Sequence, residues 1–109
     1  MCEHVAEAFV PVRCAECVLE KVCARSGEYC RSIAAIGADK VLDFGEARAI
    51  LTPTKEGLHF RVEAHDPITF YGVRTLLQGS LSIVTSFLGE SVKWYPPDHV
   101  SLSVLRRHP

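Results

Sequence analysis

All five cysteines of this 109-residue chain fall in its first thirty positions: Cys2, Cys14, Cys17, Cys23 and Cys30. Cys14 and Cys17 form C-A-E-C. Two intervening residues let a tight turn aim both sulfurs at one point, as a tetrahedral zinc ion requires. Cys23 and Cys30 follow, and the pattern C-x2-C-x5-C-x6-C can close a four-thiolate site. Cys2 and His4, in C-E-H, are alternate ligands. Four thiolates fill the coordination sphere and leave no position for water, so such a zinc ion is structural rather than catalytic. The same CxxC pair carries a second chemistry. "VPVRCAECVLEKV" has a faint strand–CxxC–helix character, and thiol–disulfide exchange needs an accessible sulfur with a depressed pKa.

The elements available to hold these sulfurs differ along the chain. The first thirty residues carry few large apolar side chains: Val5, Phe9, Val10, Val12, Val18, Leu19 and Val22. Ordering a residue costs about 1–2 kcal/mol of backbone entropy. A structural zinc ion supplies apparent binding free energy on the order of 10 kcal/mol, coupled to folding. Residues 1–30 therefore read as cysteine-rich loops pinned by metal, and 31–109 as an α+β core, together one domain.

Later segments are patterned more strongly. "SGEYCRSIAAIG" reads as a short helix, with Tyr29, Ile33 and Ile36 on one face and Gly37 as a left-handed stop. "ARAILTPTKEGLHFRVEAHDP" reads as two strands joined through Pro53 and Gly57. In the second strand Leu58, Phe60, Val62 and Ala64 alternate with His59, Arg61, Glu63 and His65. "DPITFYGVRTLLQGSLSIVTSFLG" is a long helix. Asp66 is its N-cap, Pro67 its first residue and Gly89 its stop, with a stripe of Phe70, Val73, Leu77, Leu81, Val84 and Leu88. Gly72 and Gly79 each weaken it by about 1 kcal/mol. They either let the helix pack closely on a sheet or are simply tolerated. Val92 and Trp94, then Val100, Leu102 and Val104, read as two final strands linked by "PPDH". The expected fold is α+β: a mostly antiparallel sheet flanked by two helices, with an N-terminal cysteine-rich loop region.

Composition narrows the function classes. The charged fraction is 23% and the formal net charge −1, so no global field attracts nucleic acid or anionic membrane. Arg13, Lys21, Arg25 and Arg31 are opposed by Glu3, Glu7, Glu16, Glu20 and Glu28 in the cysteine region, so nucleic-acid contact there is the weakest reading. No apolar run approaches the roughly 20 residues that span a bilayer, and the N-terminus lacks signal-peptide character. The expectation is a cytoplasmic protein. Reducing conditions there disfavour disulfides and point clustered cysteines to metal first, redox second. His59, Arg61, Glu63 and His65 share a polar strand face, which suits an acid–base pair or merely a wet face. Trp94 reads as core and Tyr95 as a surface contact. There is no Walker loop, GxGxxG, GxSxG or HExxH, so an enzyme has no positive support.

"MCEH", "CAEC", Cys23 and Cys30, ahead of a cysteine-free α+β segment, resemble a small uncharacterised archaeal family of Thermoplasma type across essentially the whole chain. The resemblance implies a sheet flanked by two helices, and a loop bundle holding the cysteines and a zinc site. It implies loops rather than helix over 14–30. The stretch "LHFRVEAHDP…VKW" also resembles the C-terminal half of a bacterial family of unknown function. The resulting expectation is a binding or adaptor module, stabilised by structural zinc at Cys14, Cys17, Cys23 and Cys30, with a protein or small-molecule partner. The alternative is a thiol–disulfide redox protein using the CxxC pair, and a weaker one a nucleic-acid-binding zinc module.

Overall fold

A strand that alternates apolar and polar residues must bury one face, and β-strands of this kind at His4–Val10, Ala47–Pro53 and Leu58–Ala64 form the centre of the fold. The computed structural model describes residues 4–85 and 92–96. In chain order it has β1 (His4–Val10), α1 (Ala15–Ser26), a 3-10 turn (Gly27–Tyr29), β2 (Ser32–Ile36), β3 (Asp39–Asp43), β4 (Ala47–Pro53), β5 (Leu58–Ala64) and α2 (Pro67–Val84). The strands form one antiparallel sheet in the order β1-β5-β4-β3-β2. The chain lays β1 at one edge and crosses through α1 to β2 at the other. It then returns strand by strand until β5 closes on β1.

Register gathers the core on one sheet face. Phe60 stands between Ala8 of β1 and Leu51 of β4, and Val62 between Ala6 and Ala49. Leu42 of β3 faces Ala49. All are buried in one cluster with Val18, Leu19 and Val22 of α1 and Phe70, Val73, Leu77 and Leu81 of α2. Both helices cover this face and touch each other, with the buried hydroxyls of Ser26 and Ser80 3.1 Å apart. Each large aliphatic or aromatic side chain so buried contributes about 1.5–3 kcal/mol.

The α+β expectation, an antiparallel sheet with two helices, describes this architecture. The N-terminal expectation is corrected. Residues 4–10 and 15–26 are not loops: they supply an edge strand and a helix of the core. Ala6, Ala8 and Val10 alternate with Val5, Glu7 and Phe9, but alanines carry little hydrophobic signal. They are small because α2 and β5 crowd them. "SGEYCRSIAAIG" is not a helix either. It is the 3-10 turn followed by β2, and Gly37 (φ 63) turns a hairpin into β3 instead of capping a helix. A four-residue apolar run such as Ile33–Ile36 suits either period, and pairing with Asp39–Asp43 decides.

The long helix follows expectation at its start. The Asp66 carboxylate accepts from the Thr69 backbone N–H at 2.9 Å, with Pro67 in the first turn. Leu88 and Gly89 lie outside the described residues, as do Cys2 and the strand read over Val100, Leu102 and Val104. Gly72 and Gly79 do not pack on the sheet. Neither has an atom within 4 Å of where a Cβ would stand. Trp94 reaches the core, its ring centroid 6.2 Å from Phe60 and its N–H donating to Gln78 Oε1 at 2.9 Å. Tyr95 exchanges two backbone hydrogen bonds of 2.7 Å with Glu7. This bridge lays 92–96 along the outer edge of β1. Arg74 lies against the rings of Phe70, Tyr71 and Trp94, 5.0–5.3 Å from their centroids. Among the described residues no helix is long and apolar enough to cross a membrane.

Candidate thiol site

The CxxC pair sits where β1 hands over to α1. Pro11, Val12 and Arg13 lead from the strand into Cys14, the N-cap of α1, whose carbonyl accepts from the Val18 N–H at 3.1 Å. Ala15, buried, ties the first turn to the core, while Glu16 faces solvent. One turn on, Cys17 returns to the same side, and the two cysteines form a disulfide with Cα atoms 5.3 Å apart. Both are exposed. Cys14 has φ 49, the one positive value among described non-glycine residues. That left-handed conformation costs an L-residue about 1–2 kcal/mol, and strain of this kind collects at functional positions.

Three segments converge at Cys14. A cleft of about 470 Å³ is lined by Cys14, Ala15 and Glu16, by Ala38 of the β2–β3 turn, and by Pro53, Thr54 and Lys55 of the β4–β5 connection. The Thr54 hydroxyl shapes that connection. It donates to the Gly57 carbonyl at 2.9 Å and accepts from the Glu56 and Gly57 N–H groups. Free N–H groups at the start of α1 favour negative charge on a nearby sulfur. Lys55 and Glu16, of opposite charge, both line the cleft. Sequence reading found the pair but not Ala38, Thr54 or Lys55, which are distant in the chain and carry no motif.

The other candidate ligands lie elsewhere. On a helix rising 1.5 Å per residue, Cys23 is about 13 Å along the axis from Cys14 and about 9 Å from Cys17. Cys23 is buried in the core, and burial chiefly pushes its thiol up to about 11, with Lys40 opposing and Glu20 and Cys30 adding to the rise. Cys30 is half-buried, its S–H donating to the Gly27 carbonyl at 3.5 Å, and burial again raises its pKa. His4 stands at the far end of β1, its ring 5.6 Å from Phe70. Zinc–sulfur bonds are about 2.3 Å, so α1 as folded does not bring Cys14, Cys17, Cys23 and Cys30 together. Among the described residues no group of three or more His, Cys, Asp or Glu side chains is placed to hold a metal ion.

Comparison with known proteins adds a fold and nothing chemical. No known protein family matches the chain, and no curated protein matches it. A solved structure does. The NMR structure of PA4090 from Pseudomonas aeruginosa is similar with a TM-score of 0.70 at 14% identity, over 88% of this chain and 97% of that one. At that identity the likeness concerns architecture alone.

The polar strand face is a connected chain of ion pairs. On the sheet face away from the helices, Glu7 takes His59 Nε2 at 2.9 Å on one oxygen and Arg61 on the other. Arg61 Nε also donates to Glu63 at 2.7 Å, and Arg48 pairs with the remaining Glu63 oxygen. Register creates the chain, since Glu7 faces Arg61 and Arg48 faces Glu63. His65 is exposed beyond it. Glu63 is buried. Burial alone would raise its pKa, but hydrogen bonds and charge from Arg61 and Arg48 outweigh it and hold the carboxyl below its ordinary value. A depressed carboxyl stabilises the fold above the unfolded value and loses that contribution as pH falls through the folded one. The urea midpoint should therefore fall between about pH 7 and pH 3 more in the wild type than in Glu63→Gln. Parallel decline of the two would show that Glu63 is not a source of the acid limb.

Proposed function

We propose that this protein is a thiol–disulfide exchange protein whose working pair is Cys14–Cys17. The observation that carries the reading is the bonded, exposed pair at the start of α1, with Cys14 on the rim of the cleft, while Cys23 is buried and Cys30 half-buried. The oxidised pair accepts two electrons from a substrate carrying two thiols. A substrate thiolate attacks one sulfur of the pair, forming a mixed disulfide and releasing the other cysteine as thiolate. The second substrate thiolate attacks the substrate sulfur of that mixed bond. The first cysteine leaves, the substrate is oxidised to a disulfide, and the two substrate protons end on Cys14 and Cys17. The reverse sequence reduces a substrate disulfide.

Exchange needs an accessible thiolate, which a helix N-terminus favours, whereas buried Cys23 is inert. Denaturing thiol titration of the protein purified without reductant should find the Cys14 and Cys17 thiols missing, and all five thiols after reduction. Equilibration with glutathione buffers should give a two-electron transition that disappears in both Cys14→Ser and Cys17→Ser and persists in Cys23→Ser. Ordinary pKa values for both cysteines in the reduced protein would count heavily against the proposal. A module held by structural zinc competes for the same thiols, and it requires α1 to rearrange so that Cys23 and Cys30, or Cys2 and His4, can reach them. One zinc per chain in protein purified under reducing conditions would favour that rival.

A further inference from the structure

We propose that the outward face of α2 is the twofold interface of a homodimer, in which two α2 helices pack antiparallel about an axis between Thr75 and Leu76. At about 100° per residue, Ile68, Gly72, Thr75, Gly79 and Ile83 form one stripe, opposite the buried Phe70–Val73–Leu77–Leu81 stripe. Ile68 is 84% exposed and Ile83 62%, flanked by Tyr71 at 57% and by Tyr29, from the 3-10 turn, at 69%. Single exposed apolar residues are ordinary, but several large ones set along one helix face and its flank mark a contact surface.

The spacing of the stripe is self-complementary. An antiparallel pairing that sets Ile68 against Ile83 of a second copy also sets Gly72 against Gly79 and Thr75 against Leu76. The glycines, open to solvent in one copy, let the helix backbones approach at the centre while isoleucines meet at both ends. Two hollows of about 270 Å³ each lie beside the glycines, one between Tyr29, Phe44 and Gly72 and the other between Arg25, Tyr29 and Gly79. They offer room for side chains of the opposing copy.

Charge points to the same occupant. The one charged side chain of α2, Arg74, is drawn aside among three rings. The stripe itself carries no charge, so it brings no like charges together when it meets itself, with Arg25 and the Arg74 guanidinium over the Tyr71 ring at its rims. Tyr29, Ile68, Tyr71 and Ile83 together expose on the order of 500 Å², given 150–250 Å² per aromatic side chain. Adding the helix surface between them brings the face toward the ~800 Å² per partner of a stable interface. None of the residues lining the thiol cleft belongs to it.

Sedimentation equilibrium of the full chain should show a monomer–dimer equilibrium. Ile68→Glu/Ile83→Glu should weaken it about tenfold or more. Gly79→Ala removes a helix-weakening glycine without a clash in the monomer, so it should raise the thermal midpoint while weakening the dimer. In mixtures, Ile68→Cys should cross-link to Ile83→Cys in preference to itself. A protein monomeric up to about 1 mM would overturn the proposal, as would a dimer that both the Glu double variant and Gly79→Ala leave unchanged. Preferential Ile68→Cys self-cross-linking would overturn the antiparallel arrangement. If the Glu variant fails to fold, Gly79→Ala and the cross-linking decide the matter.

Discussion

Phe60→Ala should cost about 3–5 kcal/mol of stability, read as a large drop in urea midpoint with the slope of the transition retained. Phe60 is fully buried on the middle of β5. It faces Ala8 on one side and Leu51 on the other, so the strand that closes the sheet carries its largest side chain at the point of closure. Its ring also receives Trp94, which ties 92–96 to the core. The neighbours in β1 are alanines, too short to fill the void. A small domain has total stability of about 5–15 kcal/mol, so the variant loses a large share of it and should melt well below the wild type. Phe60→Leu, which keeps most of the volume, should lose much less. Equal losses for the two would show that shape, not buried volume, governs this position.

Gly57→Ala should lose about 3 kcal/mol through overpacking and should disturb the thiol cleft as well. A Cβ on Gly57 would stand 2.2 Å from the Val10 carbonyl oxygen and 2.8 Å from the Pro11 Cα. Both obstacles are backbone, so no rotamer change relieves them. Elsewhere Gly→Ala gains about 0.4–1 kcal/mol by stiffening the unfolded chain, and here the clash reverses the sign. Val10 and Pro11 lead directly into Cys14, while Gly57 closes the connection that carries Thr54 and Lys55. Forcing them apart separates the two walls of the cleft. The expected signature is a lowered melting temperature together with a shifted Cys14–Cys17 reduction potential. A destabilised protein with an unaltered potential would show that the cleft wall does not tune the pair.

The strongest periodic signals in the chain match the structure because each element could be read locally. Asp66-Pro67 and the Phe70–Leu81 stripe specify α2, and the alternation from Leu58 to Ala64 specifies β5, since neither depends on what it packs against. The start of the chain was harder to read. Ala6 and Ala8 are core residues only because Val62 and Phe60 stand opposite them, more than fifty positions away. Ile33–Ile36 became a strand because Asp39–Asp43 pairs with it.

The candidate site divides in the same way. CxxC is visible as a motif, and two intervening residues suffice to let Cys14 and Cys17 bond, so the sequence alone determined that these sulfurs could act as a pair. Only the tertiary structure decided that Cys23 turns into the core, that Cys30 stands apart, and that Thr54 and Lys55 line one cleft with Cys14. Helical rise sets the distances along α1, and burial against β-strands distant in the chain chooses which side of the helix is withheld from solvent.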